Sequence, residues 1–257
     1  MPALPDDWAD TRATLQAYGQ ALTAIPRAAG TQDDRWGHVS MTVNATGLTT
    51  AQTPLSDGSD LVGAIDLTTH EIVITAGDDT QRIDISSGPS SRSVGEAMVA
   101  VAAEHGTNID ADTDRFGGTD DLLYDPTHAT AFLAAALYVV AAFEELNSSV
   151  PGEVAGPHLW PHGFDIATEW YSHKLVPHGD SEASAQIAVG FYPANDSYFY
   201  ANPFPFEDSW SESPLVAGST WHLDGWQGAV LPPEQVSHAA IVAFGTAVHD
   251  LARETLS

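Results

Sequence analysis

The chain has 257 residues, 43% of them hydrophobic, with seven Trp, seven Tyr, nine Phe and no cysteine; this suffices for a sizeable core and excludes disulfides, thiolate nucleophiles and cysteine-type zinc sites. Asp and Glu number 35 against 8 Lys and Arg, a formal net charge of −27. No basic stripe for nucleic acid can be assembled from that balance.

The first helix is predicted over Asp7 to Ile25, with Asp6 as N-cap and Trp8, Leu15, Tyr18 and Leu22 at helical spacing. Short strands follow: HVSMTV and GLTTAQ around the turn NATG, DLVGAIDL and EIVITA around TTH, then QRIDIS. Ser93-x-x-Glu96 reads as a capping box opening a second helix, Val94 to His105, closed by Gly106. A polar connection covers Asn108 to Asp125. The third helix, His128 to Leu146, is apolar nearly all round and is expected to be the most buried. Its apolar run, Ala129 to Phe143, is expected to be too short to span a bilayer. Six strands come next: GPHLW, FDIATEWY, AQIAVGFY, SYFYANP, STWHL and WQGAVL, the last two joined by a tight hairpin at Asp224-Gly225. A fourth helix is predicted from Glu234 to Thr255.

This order predicts an α+β fold, a single unit over 1–257 made of two similar halves, each an antiparallel sheet of about five strands with flanking helices. RWGHVSMTV and LWPHGFDIA share Trp-x-His followed by alternating apolar residues, which suggests an internal duplication of 1–125 and 126–257.

The acids are dispersed between apolar segments, so a folded protein under a carboxylate surface is expected rather than a disordered chain. Of the 35 acids 23 are Asp, and Lys174 is the single lysine. Such a surface repels itself in dilute salt and is screened in molar salt, where the Debye length is about 3 Å. The composition resembles that of halophilic proteins from a molar-KCl cytoplasm. The start MPALPDDWADTR lacks the pattern of a signal peptide. A cytoplasmic protein with no membrane and no nucleic-acid partner is the expectation, with a homodimer as an open possibility.

The segment GPHLWPHGFDIATEWYS, followed by QIAVGFYP and YFYANPFPF, resembles a widespread prokaryotic family of uncharacterised proteins, and WADTRATLQ, HVSMTVNATGLTT and GAVLP fit the same pattern. The resemblance spans nearly the whole chain. It implies His158, Phe164 and Asp165 within the family's signature segment, and no activity or cofactor.

Within that segment, strand alternation puts Phe164, Ile166, Thr168 and Trp170 on one face and Asp165, Ala167, Glu169 and Tyr171 on the other. Asp165 and Glu169 would be roughly 13 Å apart, too far to act as paired carboxylates on one bond. His158 and His162 share an ion only if a turn at 160–163 brings them together. With His222 they would offer ligands for a divalent transition metal. Alternation also sends Tyr198 and Tyr200 to one face and Phe199 to the other. The favoured site is a small-molecule pocket on the second sheet, lined by His158, Trp160, His162, Asp165, Glu169, Tyr198, Tyr200, Trp221 and His222. The alternatives are a metal-dependent enzyme using His158, His162 and His222, and a structural or assembly role.

Overall fold

A computed structural model describes residues 1–233 and 236–257. The chain runs α1 (Ala9–Ala29), β1 (Met41–Asn44), β2 (Gly47–Thr50), β3 (Thr53–Pro54), β4 (Asp60–Asp66), β5 (Glu71–Ala76), β6 (Asp79–Asp84) and α2 (Ser91–Glu104). It continues through α3 (Pro126–Ser149), β7 (Glu153–Trp160), β8 (Asp165–His178), β9 (Ser181–Tyr192), β10 (Tyr198–Phe204), β11 (Thr220–His222), β12 (Gly228–Leu231) and α4 (His238–Leu256). The fold is α+β, and every described strand pairing is antiparallel.

Two compact units divide the chain. The N-terminal unit holds residues 2–137 and 158–164; the C-terminal unit holds Met1, 138–157 and 165–257. In the N-terminal unit the strand order is β7, β1, β2, β4, β5, β6, with β3 beside β4. Leu61, Ile65, Ile72 and Ile74 alternate onto one buried face of β4 and β5. Gly63 lies on that face, where an added Cβ would come within 3.0 Å of both Leu22 on α1 and Met98 on α2, so both helices rest on the sheet there. The edge strand β6 is almost wholly exposed and carries Asp79, Arg82 and Asp84, charges that discourage edge-to-edge pairing.

Helix α1 begins two residues later than expected. Asp6 does not cap it: Trp8 is the N-cap, and its carbonyl takes the first helical bond from Arg12 N at 2.8 Å. The Trp8 ring is fully buried and stacks on Phe132 at 5.3 Å, so packing of Trp8, and not a side-chain cap at Asp6, accompanies the helix start. The strand predicted from His38 begins only at Met41. Gly37–Val39 form a 3₁₀ turn, held by the Asp33 carboxylate accepting from Arg35 N and Gly37 N at 2.9 and 3.1 Å. Helix α2 opens at Ser91, one turn earlier than the Ser93 box predicts. Ser90 is its N-cap, accepting from Ser93 N, while the Ser93 hydroxyl donates back to the Ser90 carbonyl. Two serines at that spacing both suit a cap, and the earlier one adds a turn that buries Ser91.

Helix α3 starts with Pro126 at its first position, Asp125 accepting from Thr127 N at 2.7 Å, a geometry proline favours. At 24 residues α3 is long and apolar enough to cross a membrane by length and composition, longer than the run expected to be too short, and half of its apolar window is buried. Nor is it buried all round. Ala129, Phe132, Ala136, Val139, Phe143 and Leu146 form one buried face, while Thr130, Ala134, Leu137, Ala141 and Glu145 are exposed. Alanines on the outer face conceal this two-sidedness in a hydropathy reading.

In the C-terminal unit the strand order is β8, β9, β10, β12, β11. One face packs under α4 and the C-terminal half of α3: Phe199 meets Phe143 edge-on at 6.4 Å and Phe191 at 4.8 Å. On α4, Ile241, Phe244, Val248 and Ala252 are buried. This helix begins at His238 with Ser237 as N-cap, its hydroxyl accepting from Ala240 N; the Glu234 start predicted for it lies outside the described residues.

Candidate functional site

The site is built on the other face of the C-terminal sheet. In register, Ala167 on β8 lies beside Gly190 on β9, Gly190 beside Tyr200 on β10, and Tyr200 beside Val230 on β12. One pair along, Glu169 lies beside Ala188 and Ala188 beside Asn202. Strand alternation therefore gathers Asp165, Glu169, Tyr198, Tyr200 and, through the Thr220↔Val230 pairing, His222 on one face,. The expected separation of Tyr198 and Tyr200 from Phe199 is what the register shows.

Two glycines shape this face. A Cβ on Gly190 would overlap the Tyr200 ring. Without one, the ring lies flat across β9 and its hydroxyl donates to Asp165 Oδ2 on β8 at 2.5 Å. Burial and the negative charges of Asp165 and Glu169 push the Tyr200 hydroxyl well above its ordinary pKa, so it is a neutral donor facing a carboxylate. Burial, with Tyr192 and Asp165 beside it, raises Tyr198 as well. Gly228 plays the second part: an added Cβ would lie 2.5 Å from the Ala201 carbonyl oxygen and 2.7 Å from the Trp226 ring. Trp226 thus closes down beside the tyrosines, 6.5 Å from Tyr198 at 15° between planes and 6.2 Å from Tyr200 at 75°. The His222 ring lies 4.5 Å from Trp226, and Asn202 Nδ2 donates to the Gln227 carbonyl at 2.5 Å, fixing the loop that carries Trp226. That loop is five residues long, since His222 pairs with Gly228; the tight Asp224-Gly225 hairpin expected from sequence is replaced by a wider turn that presents Trp226.

Trp221 does not belong to this face. It pairs with Ala229, whose other neighbour is the buried Ala201. Its indole donates to the Ser213 carbonyl at 2.9 Å and its ring meets Phe206. One residue of strand offset decides this, because alternate side chains point to opposite faces.

His158, Trp160 and His162 fall in the N-terminal unit. The three rings form an edge-on ladder, 5.8 Å from His158 to Trp160 and 6.2 Å from Trp160 to His162. Burial lowers the His158 pKa, opposed by Asp33. The turn at 160–163 on which ion sharing by His158 and His162 would depend is present, closed by Phe164 N donating to the Trp160 carbonyl at 2.7 Å. Three side chains spaced four apart on α1 hold it: Arg12 donates to the Gly163 carbonyl at 2.7 Å, Gln16 to His162 at 2.8 Å and Gln20 to Pro161 at 3.2 Å. Among the described residues, no group of three His, Asp or Glu side chains is placed to hold a metal ion. The proposed ligands His158, His162 and His222 therefore do not form a coordination set; the intervening Trp160 spaces the first two, and the third stands against Trp226.

A small half-open cleft lies on the helix side of the C-terminal sheet, lined by Leu146, Val150, Thr168, Ile187, Gly245 and His249 among others. The Thr168 hydroxyl is 2.6 Å from Asn147 Oδ1 and 2.9 Å from the Ala155 carbonyl. His249 is buried against the edge of Trp170 at 5.2 Å, and burial lowers its pKa against the opposing pull of Asp250.

Sequence reasoning missed Trp226, Gly190 and Gly228. A signal was present: glycine inside an apolar strand, as in AQIAVGFY, marks a place where another group comes close. An α+β protein with a polar, aromatic-walled sheet face is the class these features define. The chain belongs to the family of unknown function DUF5996, whose model matches residues 1–253. No curated protein and no solved structure matches it.

Proposed function

We propose that the protein binds a small molecule on the Tyr200–Trp226 face of the C-terminal sheet. The observation that carries this reading is the placing of Tyr200 flat over Gly190 with its hydroxyl on Asp165. A half-buried face that holds partly exposed aromatic rings beside a fixed carboxylate has the composition of a ligand site, apolar walls with a few oriented polar groups. Tyr198, Tyr200, Asn202, His222 and Trp226 are all partly solvent-accessible.

Ligand-observed NMR on a mixture of cellular metabolites, in buffer of about 2 M KCl to screen the carboxylate surface, tests it. Signals from at least one compound are expected to broaden with the wild-type chain and to recover with Trp226→Leu. Identical spectra for the two proteins would defeat the reading.

A further inference from the structure

The arrangement of rings on this face points to a ligand class. We infer that the Tyr198–Tyr200–Trp226 triangle is a seat for a small organic cation, a quaternary or methylated ammonium group; the inference rests on the small-molecule reading above and narrows it.

The three ring centroids are mutually 6.5, 6.2 and 6.5 Å apart. A cation resting on so nearly equilateral a triangle lies within the roughly 6 Å of all three centroids that cation–π attraction requires. Tyr198 and Trp226 are close to parallel, and Tyr200 stands steeply to both, at 62° and 75°. The three rings thus present differently inclined planes within one small area instead of stacking into a single slab. The tyrosine hydroxyl that donates to Asp165 shifts electron density toward its own ring, which strengthens the attraction of that ring for positive charge. His222 and Tyr192 extend the aromatic wall, at 4.5 Å from Trp226 and 5.4 Å from Tyr198.

Selectivity follows from hydration. The net charge of −27 attracts every cation,, but a small inorganic ion holds its water tightly and gains little from ring faces. A quaternary ammonium has no N–H bonds to leave unsatisfied and a weak hydration shell, so it loses little on entering an aromatic site. Aromatic walls thus select organic cations from a surface that is otherwise indifferent to which cation it collects.

The test is isothermal titration calorimetry of the full chain in about 2 M KCl, with choline and with 3,3-dimethylbutan-1-ol, the neutral molecule of the same shape. Choline is expected to bind about tenfold more tightly than the neutral analogue, and Trp226→Leu is expected to weaken choline by about tenfold with the analogue little changed. Circular dichroism of the variant keeps a folding defect from passing as a binding one, and Tyr198→Leu serves as the second variant if Trp226→Leu misfolds. Equal affinities for the two probes, with both lost in Trp226→Leu, would overturn the cation assignment and leave the small-molecule reading standing. No binding of either probe, or choline binding that is indifferent to both substitutions, would also overturn it. The metabolite screen then decides the broader reading by itself.

Discussion

Gly190 on β9 and Tyr200 on β10 are neighbours in register, and the ring of the second occupies the space a side chain on the first would need. Gly190→Ala is therefore expected to drive the ring off the strand and break its bond to Asp165. Overpacking of this kind costs about 1–3 kcal/mol, and the hydrogen bond to a charged acceptor adds to it. Urea unfolding should show the loss as a lower midpoint with an unchanged slope, and near-ultraviolet circular dichroism should show altered tyrosine bands. An unchanged midpoint would mean that Tyr200 has an equally good alternative position.

Arg12 joins α1 to the turn after β7. Its guanidinium donates to the Gly163 carbonyl and lies 5.6 Å from the centre of the buried Phe164 ring. Phe164 itself has a φ of 55°, a conformation non-glycine residues adopt only when their surroundings impose it. Arg12→Met keeps the apolar stem and removes the donor. It is expected to cost about 1–3 kcal/mol and to increase proteolytic cleavage within 161–164, while wild-type-like resistance to protease would show that Gln16 and Gln20 suffice.

The buried imidazoles predict acid sensitivity. His158 and His249 both have lowered pKa values, through desolvation opposed by Asp33 and Asp250 respectively. The unfolded chain takes up protons at these groups below about pH 6.5, where the fold resists them. Stability contributed by their neutral forms is therefore complete above about pH 6.5 and falls as the pH drops toward the folded-state values. His105 acts in the opposite sense. Hydrogen bonding to Asp57 raises its pKa, so its contribution is full below about pH 6.5 and declines as the pH rises through the folded value. Melting temperatures from pH 7.5 to 5 should therefore fall less steeply in His249→Leu than in wild type, and more steeply in His105→Ala. Parallel curves for all three proteins would contradict these assignments.

A chain of net charge −27 predicts dependence on salt. The melting temperature is expected to rise markedly between about 0.1 M and 2 M KCl as the Debye length falls from about 10 Å toward 3 Å or less, with most of the gain coming at the lower concentrations. Equal melting temperatures at the two ends would show that self-repulsion of carboxylates is not a significant load on this fold.

Much of the architecture was legible in the residues alone. Period-two runs such as DLVGAID and period-3.6 runs such as LQAYGQAL mark strands and helices through local burial patterns, which any chain must satisfy to bury its apolar side chains. Alternation also placed Tyr198, Tyr200 and Asp165 correctly by face, because side-chain direction in a strand needs no knowledge of its neighbours. The starts of α1 and α2 differ from expectation because a buried Trp8 ring and a second serine compete with the expected caps, and tertiary packing chooses between them. The candidate site itself depended on pairing across strands. Only the register could show that Gly190 sits under Tyr200, which of Trp221 and His222 shares the tyrosines' face, and that a five-residue loop brings Trp226 down beside the tyrosines. Composition and periodicity are properties of a chain one residue at a time, and they determined the class and the elements; contact between strands separated by tens of residues is a property of the folded sheet, and that decided the site.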